Sequence, residues 1–539
     1  MKQSRVQQWR YGASLLLLGA AHAQAFAPDP LPGVLLPYLQ LVCLAFLARY
    51  VWRASGVKAA AATGFLFGLG SFAVGLYWVF ISMHRYGGMA VPLASAATLL
   101  LAAADALFYA AAVAVAKWLT QRTLRLEDGI ARHFLAVAAW ASCWTLAEWL
   151  RGTLFTGFPW MATGYAHVEG PLSGWAPLIG MYGVTWLAAF VSAAAGLLML
   201  RQRTSHEAPA AATVAAGIAA ALLGWVLGGF SWGHAEGPPT LVRLVQGNVP
   251  QSEKFDPALL HNGVETYMQL AAMPPREAGM DPAVIVLPET IMALFQNRYP
   301  PQVWEQWRQI AQQRNAAIIM GVPLHSRGPD GDRYTNSVMG FDGATSIEQL
   351  LSGQTGMRYD KHHLVPFGEF VPPGFRWFVD AMHIPLGDFD RGQTRQKHFT
   401  LAGQQFAPNI CYEDVFGEEI IQGVRPSAEH GPGATILVNV SNLGWFGESW
   451  ALRQHLQISR MRAVETARPM LRATNTGMTA AIDPDGTVRA MLDAHVKGVL
   501  DVEVQGTGGL TPYVKFGNWP TLVWSLLWVG VALLRRRFS

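Results

Sequence analysis

The sequence predicts a multi-pass α-helical membrane bundle joined to an α/β extramembrane domain. Three observations carry that expectation. There are eight long apolar runs, seven before residue 231 and one at the C-terminus. From Thr240 onward short β-rich runs alternate with helical patterns, the texture of a layered α/β domain. Basic residues gather in every second loop between the apolar runs, as in proteins threaded through a membrane. Composition agrees: 51% hydrophobic and only 14% charged residues is too apolar for a plain soluble enzyme of 539 residues. A net charge of +4 without a basic patch excludes a nucleic-acid partner and leaves the lipid bilayer as the expected one.

The apolar runs span 11–26, 33–48, 59–83, 89–116, 133–150, 174–200, 211–230 and 519–534. A crossing helix needs about 20 apolar residues, with about 17 as a lower limit, so the first two and the last are short. Lys2, Arg5 and Arg10 precede the first run, and Arg49, Arg53 and Lys58 follow the second. Lys117, Arg122, Arg125 and Arg132 follow the fourth, Arg201 and Arg203 the sixth, and Arg535, Arg536 and Arg537 the last. The intervening loops hold Asp29 and no base, only Arg85, and only Arg151. The positive-inside rule therefore puts both termini in the cytoplasm and residues 231–518 on the outer face. Leu15 to Leu18 followed by Ala21-His22-Ala23 mimics a signal peptide, but an uncleaved first helix is expected. Asp105 lies inside the fourth run, either as a functional group or as a carboxyl hydrogen-bonded between helices. Gly64, Gly68 and Gly70 read as small residues at a helix contact.

In the second part, strands are expected at 241–245, 284–287, 317–322, 337–341, 406–410, 435–440 and 470–473. Helices are expected at 257–273, 301–314, 417–422 and 450–467. The division is therefore a seven-helix region at 1–235, a catalytic domain at 236–518, and a last helix with a basic tail at 519–539.

Three strand-like segments of this domain end in reactive groups. The run 404–410 leads into Cys411, with a helical pattern just after it whose N-terminus would favour thiolate. The run 284–287 leads through Pro288 to Glu289, and Lys361 stands before a turn that ends in Glu369. Singly, each has an ordinary reading: a small buried hydrophobe, a surface acid, a surface base. Cys43 and Cys143 lie in apolar runs, so Cys411 has no disulfide partner in its domain and reads as a nucleophile. Glu289 is then placed to take the thiol proton and return it to a leaving group. Lys361, with the backbone N–H of Tyr412, would stabilise a tetrahedral oxyanion. Glu369 would hold Lys361 or Glu289 in place. No CxxC, HExxH or paired Cys/His spacing appears, so no metal is expected.

These residues sit in longer stretches: Val245-Gln246-Gly247-Asn248 with Pro250-Gln251, Leu287-Pro288-Glu289-Thr290, and Lys361 through Pro372. Further on come Asn409-Ile410-Cys411-Tyr412-Glu413, Asn439 through Gly447, Gln454-His455-Leu456-Gln457 with Arg460, Arg462 and Glu465, and Asn475-Thr476-Gly477. Over nearly its whole length the chain resembles the bacterial apolipoprotein N-acyltransferases, membrane-bound members of the nitrilase or carbon–nitrogen hydrolase superfamily. The resemblance implies a nitrilase-like αββα sandwich, a Glu289-Lys361-Cys411 triad, and supporting roles for Glu369, Tyr412 and Glu413. It implies a phospholipid acyl donor, a diacylglyceryl-modified apolipoprotein acceptor, a cysteine thioester, no cofactor, and a place in the bacterial inner membrane with a periplasmic catalytic domain. The chain departs from the family pattern at Leu443-Gly444, where Asp-Ala is common, and at Phe255, where tryptophan is common. The segment 371–389, with Phe375, Trp377, Phe378, Met382, Ile384 and Phe389, is either an apolar lid or a loop packed on the domain. Two other readings stay open at this point: a membrane-tethered amidase using the same triad on a small amide, and a transporter or scaffold whose external domain only binds.

Overall fold

A computed structural model describes residues 5–122, 129–200, 208–254, 256, 258–275, 279–328, 331–372, 374, 376 and 388–538. Among the described residues seven long helices come first: α1 (Arg5–Ala23), α2 (Leu36–Arg53), α3 (Val57–Gly75), α4 (Val91–Thr120), α5 (Ile130–Arg151), α6 (Ala176–Leu198) and α7 (Ala208–Gly228). The α/β domain contributes α8 (Leu260–Ala272), α9 (Pro301–Arg314), α10 (Gly417–Val424) and α11 (Trp450–Thr466), and α12 (Trp519–Arg537) closes the chain. All eight apolar runs are thus helical. Among the described residues, five helical spans are long and apolar enough to cross a membrane: Gly33–Arg53, Val57–Gly75, Val91–Thr120, Ser173–Leu198 and Pro209–Gly228. α5 is less apolar because its polar groups turn inward. Glu148 there is fully buried and accepts the Thr163 N–H at 2.9 Å and the Tyr109 hydroxyl at 3.2 Å. Asp105 is also buried, and it attracts Arg151 at the end of α5. The glycines of α3 are contact residues, as their spacing suggests. A Cβ at Gly68 would lie 2.9 Å from Ala106 Cα, and one at Gly70 only 2.2 Å from the Leu16 carbonyl oxygen.

The α/β domain is built on two six-stranded sheets. The first holds β1 (Thr240–Gln246), β2 (Val284–Val286), β3 (Ala317–Gly328), β4 (Gly331–Phe341) and β5 (Met357–Asp360). The second holds β6 (Phe399–Leu401), β7 (Gln404–Ile410), β8 (Ile436–Ser441), β9 (Met470–Thr474), β10 (Ala480–Ile482) and β11 (Val488–Met491). β12 (Gly498–Val504) returns to the first, giving the orders β12-β1-β2-β3-β4-β5 and β11-β10-β9-β8-β7-β6. In each sheet three neighbours are parallel, β1-β2-β3 and β7-β8-β9, and the flanking strands are antiparallel. Parallel strands are covered on both faces, which is why these six read as continuous apolar runs.

The sheets face each other through Val242, Leu244, Val286 and Ile319 on one side and Ile410, Ile436, Val438 and Leu471 on the other. α8 and α9 cover the first sheet with Tyr267, Trp304 and Trp307. α10 and α11 cover the second with Ile421, Val424 and Ala463. The result is the expected αββα sandwich.

The bundle and the sandwich share one apolar cluster. Tyr412, Val415 and Phe416, with Ile458 and Met461 of α11, pack into the core of the helical bundle. Three connections of the bundle reach this side. Asp29 pairs with Arg453 at 2.9 Å, the Tyr77 hydroxyl accepts the Trp450 N–H at 3.2 Å, and Tyr165 donates to the Val415 carbonyl at 2.9 Å. At the far ends of these helices, among the described residues, Lys117 donates to the Trp52 carbonyl at 2.9 Å and Arg536 stacks on Trp118.

Candidate active site

The carboxylate arrives on a strand extension. β2 ends at Val286, but Leu287 N–H still bonds the Ile319 carbonyl at 2.8 Å, and Ile291 N–H bonds that of Gly321 at 3.0 Å. Between them Thr290 takes a left-handed φ of +51°, which turns the chain and leaves Glu289 facing inward. Gly321 makes room for this: a Cβ there would sit 2.5 Å from Glu289 Cα. Gly321→Ala is therefore expected to cost about 1–3 kcal/mol of stability, as overpacked positions do, and to displace Glu289. Thermal unfolding in detergent measures the first effect, and a wild-type transition would contradict it.

Lys361 follows β5 and is 1% exposed, its N–H held by the Asn336 carbonyl at 2.8 Å. Its ammonium donates to Glu369 Oε1 at 2.9 Å and to Glu289 Oε1 at 3.4 Å. Asn336 Nδ2 joins the two carboxylates, donating at 2.8 Å to Glu289 and at 2.6 Å to Glu369. The other oxygens are also held: Asn442 N–H donates to Glu289 Oε2 at 2.9 Å, and Val365 N–H to Glu369 Oε2 at 2.8 Å. Burial works to raise the Glu289 pKa, but Lys361, the Asn336 amide and the Asn442 N–H outweigh it and hold it below the usual carboxylate value. Burial likewise opposes the Lys361 charge, and Glu369 and Glu289 together keep it above the ordinary lysine value. Both groups are ionised at neutral pH.

Cys411 stands at the end of β7, half-buried, with a left-handed φ of +52°. It opens a 3-10 turn, Cys411–Val415, and only then does α10 begin. The thiol feels the field of both Glu289 and Lys361. Burial pushes its pKa well above the ordinary value, Glu289 adds to this, and Lys361 pulls the other way. The expectation of a thiolate favoured by a helix N-terminus is therefore corrected. A five-residue 3-10 turn carrying Glu413 and Asp414 supplies little positive field. The resting sulfur is a thiol beside an ionised carboxylate, an arrangement that asks for proton transfer during attack rather than before it.

Residues 18–194 match the profile described as apolipoprotein N-acyltransferase N-terminal domain, and residues 241–513 match carbon-nitrogen hydrolase. The apolipoprotein N-acyltransferase of Bordetella bronchiseptica is 53% identical, covering 98% of each chain. Those of Ralstonia nicotianae and Nitrosomonas europaea are each 43% identical, over 98% and 96% of this chain and 94% and 95% of theirs. The chain belongs to the apolipoprotein N-acyltransferase family. It is accordingly a membrane protein and an acyltransferase carrying a carbon–nitrogen hydrolase domain.

In this family member Glu289, Lys361 and Glu369 are joined by hydrogen bonds, and the Cys411 thiol lies in the field of the first two. Glu413 is buried and collects four donors: the N–H groups of Ile410, His362 and His363 at 2.7, 2.6 and 3.1 Å, and the Tyr359 hydroxyl at 2.9 Å. Burial pushes its pKa up to about 7, against Lys361 and the N–H donors. It thereby ties the Lys361 segment to the Cys411 turn. Tyr412 donates its hydroxyl to the Gly157 carbonyl at 3.0 Å, in the connection after α5.

Sequence reasoning did not assign Asn336 or Lys254. Asn336 lies in Thr335-Asn336-Ser337, a polar triplet at the head of the buried stretch 335–341 of β4, and that triplet before an apolar run is its one signal. Lys254 is buried and donates to the Glu289 carbonyl oxygen at 3.1 Å. Burial lowers its pKa to about 7, with Glu289 opposing. Phe255 and, in the segment 371–389, Phe375, Trp377, Phe378, Met382 and Ile384 lie outside the described residues. Phe389 is described, and its N–H bonds the Glu369 carbonyl at 3.0 Å.

Proposed function

We propose that the protein moves a fatty acyl chain from a phospholipid to the α-amine of a diacylglyceryl-modified N-terminal cysteine, through a thioester on Cys411. Glu289 takes the thiol proton as sulfur attacks the ester carbonyl. The oxyanion forms against the Lys361 ammonium and the Tyr412 N–H. As it collapses, the C–O bond breaks and Glu289 returns the proton to the departing lysophospholipid. The lipoprotein amine then attacks the thioester, Glu289 accepts its proton, and the thiol is restored as the amide forms. The donor is already an ester, so no cofactor is required. Glu369 holds Lys361, and Glu413 holds the turn that carries Cys411 and Tyr412.

The observation that carries the lipid reading is the Tyr412–Gly157 hydrogen bond. The residue after the nucleophile is fastened to the helical bundle, and its ring belongs to the bundle's own apolar core. A small soluble amide would need no such seat. Incubating the protein with labelled phospholipid and no acceptor, then weighing the Cys411 peptide, tests this. An acyl adduct on Cys411 is expected. An unmodified peptide with the phospholipid left intact would favour the tethered amidase.

The domains would then be a transmembrane region at 1–235, a periplasmic catalytic domain at 236–518 and a C-terminal helix and tail at 519–539, in a bacterial inner membrane. The support is geometric. The connections holding Asp29, Tyr77 and Tyr165 meet the catalytic domain, and the described basic residues Lys117 and Arg536 lie at the opposite helix ends. A reporter fused after Leu200 is expected to be active in the cytoplasm, and one after Gly237 in the periplasm. Cytoplasmic activity at Gly237 would overturn the orientation.

A further inference from the structure

The peptide bond between Cys411 and Tyr412 is held from behind by two side chains to which the reaction as described gives no part. The Cys411 carbonyl oxygen accepts Asn439 Nδ2 at 3.1 Å and His455 Nε2 at 3.1 Å. A buried carbonyl needs one partner; this one has two, and both donors are fully buried. Each donor is itself fixed. The other hydrogen of Asn439 Nδ2 goes to Asn409 Oδ1 at 2.6 Å, and Asn439 Oδ1 accepts the Ser441 hydroxyl. His455 Nδ1 faces Arg472 Nη2 at 2.8 Å. A guanidinium can only donate, so Nδ1 is the acceptor and Nε2 carries the ring hydrogen. Arg472 is anchored in turn by Asp414 at 3.4 Å and by Ser459, all three side chains being fully buried. The Asp414 carboxylate lies 3.0 Å from His455 Nε2 without taking the hydrogen bond, which goes to Cys411.

A peptide unit is planar, so its C=O and N–H point in opposite directions. Fixing the Cys411 carbonyl therefore aims the Tyr412 N–H. That N–H is second in a 3-10 turn and has no carbonyl behind it within the turn. The conformation also needs holding, because a cysteine at φ +52° persists only where its surroundings dictate it. We propose that Asn439 and His455 are positioning residues for the oxyanion site: they lock the Cys411–Tyr412 peptide so that its N–H meets the developing charge. Trp160 links this lock to the bundle. Its ring lies parallel to His455 at 5.8 Å and 5°, and to Tyr412 at 6.3 Å and 14°.

The inference rests on Cys411 as the acyl-accepting nucleophile of the proposed function, so its test uses two reagents that need neither phospholipid nor lipoprotein. Acylation by p-nitrophenyl butyrate passes through an oxyanion. Alkylation by iodoacetamide attacks the same sulfur without one. His455→Phe keeps a ring against Trp160 but removes the donor, and Asn439→Asp keeps the shape but removes the donor. Each is expected to lower the acylation rate at least tenfold, bounded by the roughly 10²–10³ lost when an oxyanion donor is removed outright. Alkylation should stay within about threefold of wild type, since no oxyanion forms. His455→Gln, which restores a donor, should recover most of the acylation rate. Acylation close to wild type in both His455→Phe and Asn439→Asp would overturn the proposal, and so would alkylation falling in parallel with acylation. Wild-type enzyme that the butyrate ester acylates but phospholipid does not would instead overturn the proposed donor and leave the lock standing.

Discussion

Glu289→Gln is expected to lower acyl transfer by on the order of 10²–10⁴-fold, the usual contribution of a positioned general base. The amide is nearly isosteric, so the loss is chemical. Glu289 Oε1 accepts from Asn336 Nδ2 and Lys361, and Oε2 accepts from Asn442 N–H. Whichever way the glutamine amide turns, its NH₂ meets a donor, and no orientation can take the thiol proton. Lys361→Ala should fall by roughly 10²–10³ as an oxyanion donor is removed, and it should lose stability as well. It leaves Glu289 and Glu369 buried with only Asn336 between them, and breaking one side of a buried ion pair typically costs about 3–5 kcal/mol. The measurements are initial rates of acyl transfer beside thermal unfolding of each variant. Glu289→Gln should unfold much closer to wild type than Lys361→Ala does. Near-normal turnover in either variant would remove that residue from the catalytic set.

The parts of this architecture that were legible in the sequence are the parts whose burial is complete. β1, β2, β3, β7, β8 and β9 are parallel neighbours covered on both faces, so each leaves a continuous apolar run. β5, β6, β10, β11 and β12 do not: Val488–Met491 alternates between half-buried and exposed, and Phe399–Leu401 is only three residues long. Reactive groups were legible because α/β folds present them at the carboxyl ends of strands, where Glu289, Lys361 and Cys411 all stand. The state of the thiol was not. Its pKa follows from burial and from Glu289, a residue 122 positions away in sequence, and not from the local helix. Asn439 and His455 lay inside stretches that carried the family likeness, yet no spacing rule could give them a task. They act on a backbone carbonyl, and side chains aimed at backbone leave no pattern of their own. Asp105 was visible as an acid in an apolar run, and only the fold puts it in the field of Arg151.

The thioester also predicts how the two half-reactions separate in time. Forming it needs phospholipid alone, so wild-type enzyme should release about one lysophospholipid per active site before any acceptor is added, and then stop. It should stop because water must compete poorly for the thioester. The half-buried sulfur sits where Tyr412 and Phe416 join the bundle's apolar core, a setting that limits water. Adding a peptide with a free N-terminal diacylglyceryl-cysteine should restart release. The same peptide with its amine acetylated should not, because an amide nitrogen's lone pair is delocalised into its carbonyl and cannot attack. Cys411→Ala should show no burst. Cys411→Ser should show at most a faint one, since burial already holds the thiol pKa high and a hydroxyl is harder still to ionise. Quantifying lysophospholipid against time by mass spectrometry reads all of these. Steady release without acceptor would mean that water enters the thioester step, and would turn the transferase reading into a hydrolase one.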